Sequence, residues 1–165
     1  MPVKKRRKAI HWCGAFAILT IMSAQEYTLE EFENEAKLFL SQLKPNLSTA
    51  TVLALHGDLG AGKTTFAQIL AKELGVSENI VSPTFIIQKR YPLKDQIFKQ
   101  LIHIDAYRLE NLEQLKVLDW DELVSDKDNL IVVEWPKNVD GLFDDATHLY
   151  FSYINEDTRS ISYGE

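Results

Sequence analysis

Gly57-Asp58-Leu59-Gly60-Ala61-Gly62-Lys63-Thr64 follows the apolar run Thr51-Val52-Leu53-Ala54-Leu55 and precedes Thr65-Phe66-Ala67-Gln68-Ile69-Leu70-Ala71-Lys72-Glu73-Leu74. That order reads as strand, glycine loop, helix. The spacing fits G-x-x-x-x-G-K-[ST], a phosphate-binding loop. Successive backbone N–H groups of such a loop point at a polyphosphate, and side chains would block the approach, hence glycine. The loop then feeds a helix N-terminus, whose unpaired N–H groups and dipole favour an anion. Lys63 is expected between the outer phosphates, and the Thr64 hydroxyl on Mg²⁺. At average usage, with glycine at roughly 7%, the pattern arises by chance in about one chain of this length in two hundred. The bland alternative is a glycine-rich turn between a strand and a helix.

Outward from the loop, Thr28-Leu29-Glu30-Glu31 has the capping-box pattern, and Leu29, Phe32, Ala36, Phe39, Leu40 and Leu43 recur at helical spacing up to Pro45. The strand over 51–56 is apolar without alternation, as suits a strand covered on both faces. The loop helix runs from about Lys63 to Leu74, with Gly75 a natural stop. Ser82-Pro83 fixes an extended turn. Thr84 to Tyr91 reads as a strand that turns at Lys94-Asp95-Gln96 and returns from Phe98 to Tyr107, a β-hairpin. Alternation in that return puts His103 and Asp105 on one face and Ile102 and Ile104 on the other. Asn111 to Val124 is helical in pattern, with Asp119 a candidate internal cap. Leu130-Ile131-Val132-Val133-Glu134 is a second buried strand that ends in an acid and is stopped by Pro136. A loop over 137–145 precedes alternating segments at 147–154 and 159–163, a terminal hairpin. The fold class expected is α/β: a three-layer phosphate-loop NTPase-like fold, with a mixed central sheet, helices on both faces and a β-hairpin.

The chain has 165 residues and a net charge of −6. Five of its 18 basic residues form Lys4-Lys5-Arg6-Arg7-Lys8, leaving 13 basic against 24 acidic residues, a balance of −11. That argues against independent binding to nucleic acid or an anionic membrane. Cys13 is the only cysteine, so no intrachain disulfide forms, and the four histidines are dispersed and do not read as a metal site. The run Ala15 to Met22 is too short to span a bilayer. With the basic stretch before it, it resembles a secretory signal, though cleavage after Ala24 would put Met22 where a small residue is preferred. A secreted protein would also meet little ATP or GTP. Residues 1–21 are therefore expected to be a tail or an upstream start outside the fold, residues 22–165 a single domain, and the location cytoplasmic.

Hydrolysis needs metal and water placed at the γ-phosphate, and sites in open α/β sheets lie at the carboxyl ends of strands. Two acids are expected there. Glu134 would hold Mg²⁺ with Thr64; the alternative is a surface acid at a strand end. Asp105 would orient water or complete the metal's outer shell; the alternative is a salt bridge, for example with Arg108. Thr84 would reach the γ-phosphate as a switch residue or simply cap a strand. Trp135 reads as a core or edge aromatic. No arginine announces itself as a finger, and no arginine-rich lid of the kind a small-metabolite kinase closes is visible.

Gly57 to Thr65, Ser82-Pro83-Thr84-Phe85, His103-Ile104-Asp105-Ala106-Tyr107-Arg108-Leu109 and Val133-Glu134-Trp135-Pro136 occur in this order and at intervals that resemble the TsaE (YjeE) family, over about residues 25–155. The resemblance implies a small Mg²⁺-dependent ATPase of tRNA threonylcarbamoyladenosine biosynthesis, slow by itself. It docks on the TsaD–TsaB pair, meets tRNA only through that complex, and resets it between turnovers. It implies a catalytic set of Lys63, Asp105 and Glu134 and Mg²⁺ ligands Thr64 and Glu134. The implied ATP contacts are Gly57, Leu59, Gly60, Ala61, Gly62, Lys63, Thr64, Thr65 and the switch residue Thr84, with Leu29 in a loosely matched region near the adenine. Adenine preference also fits the lack of an N-K-x-D motif after Glu134. Two other readings stay open: a nucleotide-gated module that does not hydrolyse, and a small-molecule phosphotransferase. Residues 1–21 have no counterpart in the family pattern.

Overall fold

The computed structural model describes residues 24–78, 80, 83, 86–139, 141 and 143–164. The expectations for residues 1–21 and for Thr84 lie outside them. The chain runs β1 (Gln25–Thr28), α1 (Leu29–Gln42), β2 (Thr51–His56), α2 (Lys63–Glu73), β3 (Gln88–Pro92), β4 (Gln100–Asp105), α3 (Leu112–Lys116), α4 (Trp120–Ser125), β5 (Asn129–Glu134), β6 (Thr147–Asn155) and β7 (Thr158–Gly164). Short 3-10 turns follow β4 at Ala106–Arg108 and β5 at Pro136–Val139.

One seven-stranded sheet has the order β1-β7-β6-β2-β5-β4-β3. Its centre, β6-β2-β5-β4, is parallel. The edges β3, and β7 with β1, are antiparallel. β2 and β5 are apolar on both faces because both faces are covered. On one side α1 and α2 bring Phe32, Ala36, Phe39, Phe66 and Leu70 against Leu53, Leu55, Val132, Leu149 and Phe151. On the other, Leu115, Trp120 and Leu123 of α3 and α4 cover Ala54, Ile102, Ile104, Ile131 and Val133. This is the three-layer α/β architecture expected. Among the described residues, no helix is long and apolar enough to cross a membrane.

The local signals hold where they are local. Thr28 Oγ1 accepts from the Glu31 amide at 3.3 Å, and the Glu31 carboxylate accepts from the Thr28 amide at 3.0 Å. Gly75 follows α2 with φ 82°. Several boundaries differ. Among the described residues of the strand expected from Thr84, pairing begins at Gln88: the Ile86 and Ile87 amides turn back to the Pro83 carbonyl at 2.9 and 2.5 Å, and Ile87 takes φ 66°. The helix expected over 111–124 is two, because Asp119 is left-handed at φ 60° between them. Asp119 occupies the position before α4 without capping it by its side chain; its carboxylate lies 3.5 Å from Arg90 instead. The loop expected from Lys137 starts with a 3-10 turn, and β1 was not foreseen.

α1 is pinned to β7 by Tyr163, whose hydroxyl donates to Glu35 Oε1 at 2.8 Å and whose ring stacks on Phe39. Burial, then the Glu35 carboxylate, hold this phenol far above its ordinary value. Below about pH 10 folded and unfolded chains both keep the proton. Above it the unfolded chain sheds the proton and the folded one cannot, so stability falls by up to about 1.4 kcal/mol per pH unit. Tyr163→Phe is expected to lose about 1 kcal/mol at neutral pH and to show a flatter decline above pH 10. Urea midpoints of the two proteins at pH 8 and pH 11 check this.

Candidate active site

The loop starts where β2 ends. Gly57 and Gly62 have φ of 141° and 107°, which only glycine adopts cheaply. Space forbids side chains as well. A Cβ on Gly57 would lie 2.4 Å from the carbonyl oxygen of Phe151, and one on Gly62 would lie 3.1 Å from the Phe32 ring. The loop therefore rests on an aromatic layer in which Phe66 meets Phe151 at 5.2 Å and Phe32 at 6.2 Å between ring centroids. Gly57→Ala must push β6 backbone aside and is expected to lose about 2 kcal/mol. Denaturant unfolding tests it, and an unchanged midpoint would mean that the loop shifts freely.

Lys63, the first residue of α2, is 4% exposed. Its ammonium donates to the Gly57 carbonyl at 2.7 Å and the Asp58 carbonyl at 2.9 Å, closing the loop on itself. It sits 3.9 Å from the centroid of the Trp135 ring, a cation–π contact. Burial pushes this ammonium below its ordinary value, and the carboxylates of Glu134, Asp105 and Asp58 work against that.

Strand register brings the acids in. Asp105 and Glu134 are paired neighbours at the carboxyl ends of β4 and β5, and Leu55 of β2 pairs with Glu134 on its other side. Both acids are 2% exposed. The Thr64 hydroxyl donates to the Glu134 carboxylate, with Oγ1 3.0 and 2.8 Å from its two oxygens. His103 Nε2 lies 2.8 Å from Glu134 Oε1. Asp105 Oδ1 accepts from the Tyr107 amide at 2.9 Å, which turns the chain out of β4. Trp135 at φ 58° turns it out of β5, and its ring meets Tyr107 at 5.1 Å.

Thr64 and Glu134 are hard oxygen donors in contact beside a buried lysine and a helix N-terminus, which suits Mg²⁺ shared with a phosphate. Among the described residues, no three His, Cys, Asp or Glu side chains are grouped to hold an ion by themselves.

The structure thus brings Gly57, Lys63, Thr64, Asp105 and Glu134 to one sheet end. Leu59 is 88% exposed at the loop tip with Gly60 beside it, Ala61 is buried and Thr65 is exposed in the first turn of α2. Leu29 is 51% exposed one turn before Phe32, on the helix that abuts Gly62. Three contacts escaped the sequence reading: His103 on Glu134, Trp135 on Lys63, and a histidine pair. His148 Nε2 donates to the Phe143 carbonyl at 2.9 Å, and its Nδ1 lies 2.8 Å from His56 Nε2. Only the alternation in β4, which put His103 beside Asp105, hinted at the first.

The profile of a protein family described as threonylcarbamoyl adenosine biosynthesis protein TsaE matches residues 30–161. A tRNA threonylcarbamoyladenosine biosynthesis protein TsaE of Rickettsia typhi is 40% identical over 107 residues, 64% of this chain and 68% of that one. The protein of the same name from Streptomyces coelicolor is 41% identical over 115 residues, 68% of this chain and 75% of that one. Among solved structures, Bacillus subtilis YdiB superposes with a TM-score of 0.58 at 29% identity, covering 86% of each chain.

Proposed function

The chain belongs to the TsaE family of threonylcarbamoyladenosine biosynthesis proteins, and from that premise we propose that it is the Mg²⁺-dependent, slowly hydrolysing ATPase of that tRNA modification. The observation that carries the proposal is the contact between Thr64 and the buried Glu134, beside Lys63 and in register with Asp105. Bound Mg²⁺ would neutralise charge building on the phosphoryl oxygens.

The chain's own residues do the rest. The loop amides and Lys63 grip the outer phosphates. Thr64 and Glu134 hold the ion. Asp105, excluded from bulk water and fixed by the Tyr107 amide, orients the attacking water. In this reading the base lies toward Leu29, and Thr84 contacts the γ-phosphate. The partner is the TsaD–TsaB pair, and turnover resets that complex; tRNA is reached only through it, in keeping with the acidic balance of the chain.

Steady-state phosphate release from ATP, followed by threonylcarbamoyladenosine analysis of tRNA from a deletion strain carrying the gene, tests both halves. Turnover with restored modification is expected. Restored modification without any ATP turnover would favour a nucleotide-gated module instead. Transfer of labelled γ-phosphate to an acceptor other than water would favour a phosphotransferase.

A further inference from the structure

His103 is 1% exposed on β4, one strand in from the sheet's edge. Its backbone pairs with Lys89 of β3 and Val132 of β5. Its Nε2 lies 2.8 Å from Glu134 Oε1, while its buried Nδ1 has no hydrogen-bond partner among the described residues. An ionised carboxylate has only lone pairs to offer, so Nε2 carries the proton and donates it to that contact. A buried ring nitrogen left unpaired is destabilising. Packing alone would favour an apolar side chain at this place, so the position must gain something from the other nitrogen.

The last torsion of a glutamate is broad and roughly two-fold. A carboxylate held by one contact can therefore swing, and Thr64 is such a contact. In the function proposed above, Thr64 also serves the ion and cannot by itself fix the carboxylate. We propose that His103 is the positioning residue of this site: its Nε2–H locks the rotation of the Glu134 carboxylate, so that the acid meets a magnesium–nucleotide complex already oriented. Groups that hold a metal-binding carboxylate from outside typically contribute about ten- to a hundredfold to metal affinity or activity. The inference rests on the magnesium–nucleotide reading of the site.

Two substitutions separate positioning from packing. The amide of His103→Gln reaches to about where Nε2 stands. The shorter amide of His103→Asn reaches only to about where Nδ1 stands and leaves Glu134 without its donor. Titration with a fluorescent ATP analogue, in Mg²⁺ and in EDTA, reads the gain in affinity that Mg²⁺ confers, independently of turnover. H103N is expected to keep the affinity seen in EDTA and to lose about tenfold or more of the Mg²⁺-dependent gain; H103Q is expected to keep most of it. Where H103N melts below the assay temperature, His103→Met, of similar reach and without a donor, replaces it with the same expected loss. A full Mg²⁺-dependent gain in the donor-less variant, or equal losses in it and in H103Q, overturns the positioning role alone. Wild-type protein without any Mg²⁺-dependent nucleotide binding overturns both this inference and the function it rests on.

Discussion

Lys63→Ala is expected to weaken ATP binding about a hundredfold. In the folded chain the ammonium already lies in the loop's embrace, 2.7 Å from the Gly57 carbonyl and 2.9 Å from that of Asp58, and almost shut off from water. It is ready to donate to phosphate without first being ordered or desolvated. Hydrogen bonds from a charged donor contribute about 1.5–3 kcal/mol each. Two of its three donors are held by these carbonyls, so one new bond to an outer phosphate adds about 2–3 kcal/mol, roughly a hundredfold in affinity. The free protein should suffer as well. Without Lys63, the buried Glu134 and Asp105 lie side by side on adjacent strands with a buried cation beside them removed. A lower melting temperature is therefore expected alongside the lost affinity. Titration with the fluorescent analogue, at a temperature where the variant is folded by circular dichroism, separates the two effects. Full affinity in the folded variant would remove the nucleotide from the reading of this site.

What could be read from the sequence was what is decided nearby. The capping box at Thr28 and Glu31 and the helix stop at Gly75 depend on contacts within a few residues, the glycine loop announces itself by its own spacing, and each stands in the structure. The two strand-end acids were legible because apolar runs ending in an acid mark where a buried strand meets the sheet's edge. Their meeting also required β4 and β5 to be neighbours in register, which no local pattern states. Four residues, three of them exposed, form β1, and its partner β7 lies more than a hundred residues away, so nothing in Gln25–Thr28 announces a strand. Asp119 and Ile87 break a helix and delay a strand by adopting left-handed conformations without being glycine, a choice set by the packing around them. Trp135 and His103 belong with these. Their residue types are ordinary for a core, and only the fold shows that one covers Lys63 and the other grips Glu134.

Glu134→Gln is expected to separate binding from turnover, cutting ATP hydrolysis about a hundred- to a thousandfold while nucleotide affinity in EDTA changes little. The substitution keeps volume and shape. Its amide oxygen accepts from His103 as Glu134 Oε1 does now, and its NH₂ donates to Thr64, whose hydroxyl can turn from donor to acceptor. The apo protein therefore keeps its contacts and loses a buried charge, a change that is often neutral or stabilising. Glu134→Ala is the instructive contrast. It empties the site and leaves His103 Nε2–H and Thr64 without their acceptor, so it should be less stable than E134Q by about 1–3 kcal/mol. Both variants should show this loss of hydrolysis, because both lack the negative oxygen that a hard divalent ion requires. A stable E134Q with wild-type turnover would show that the charge plays no part in the chemistry. A loss confined to the unstable E134A would reduce Glu134 to a structural acid.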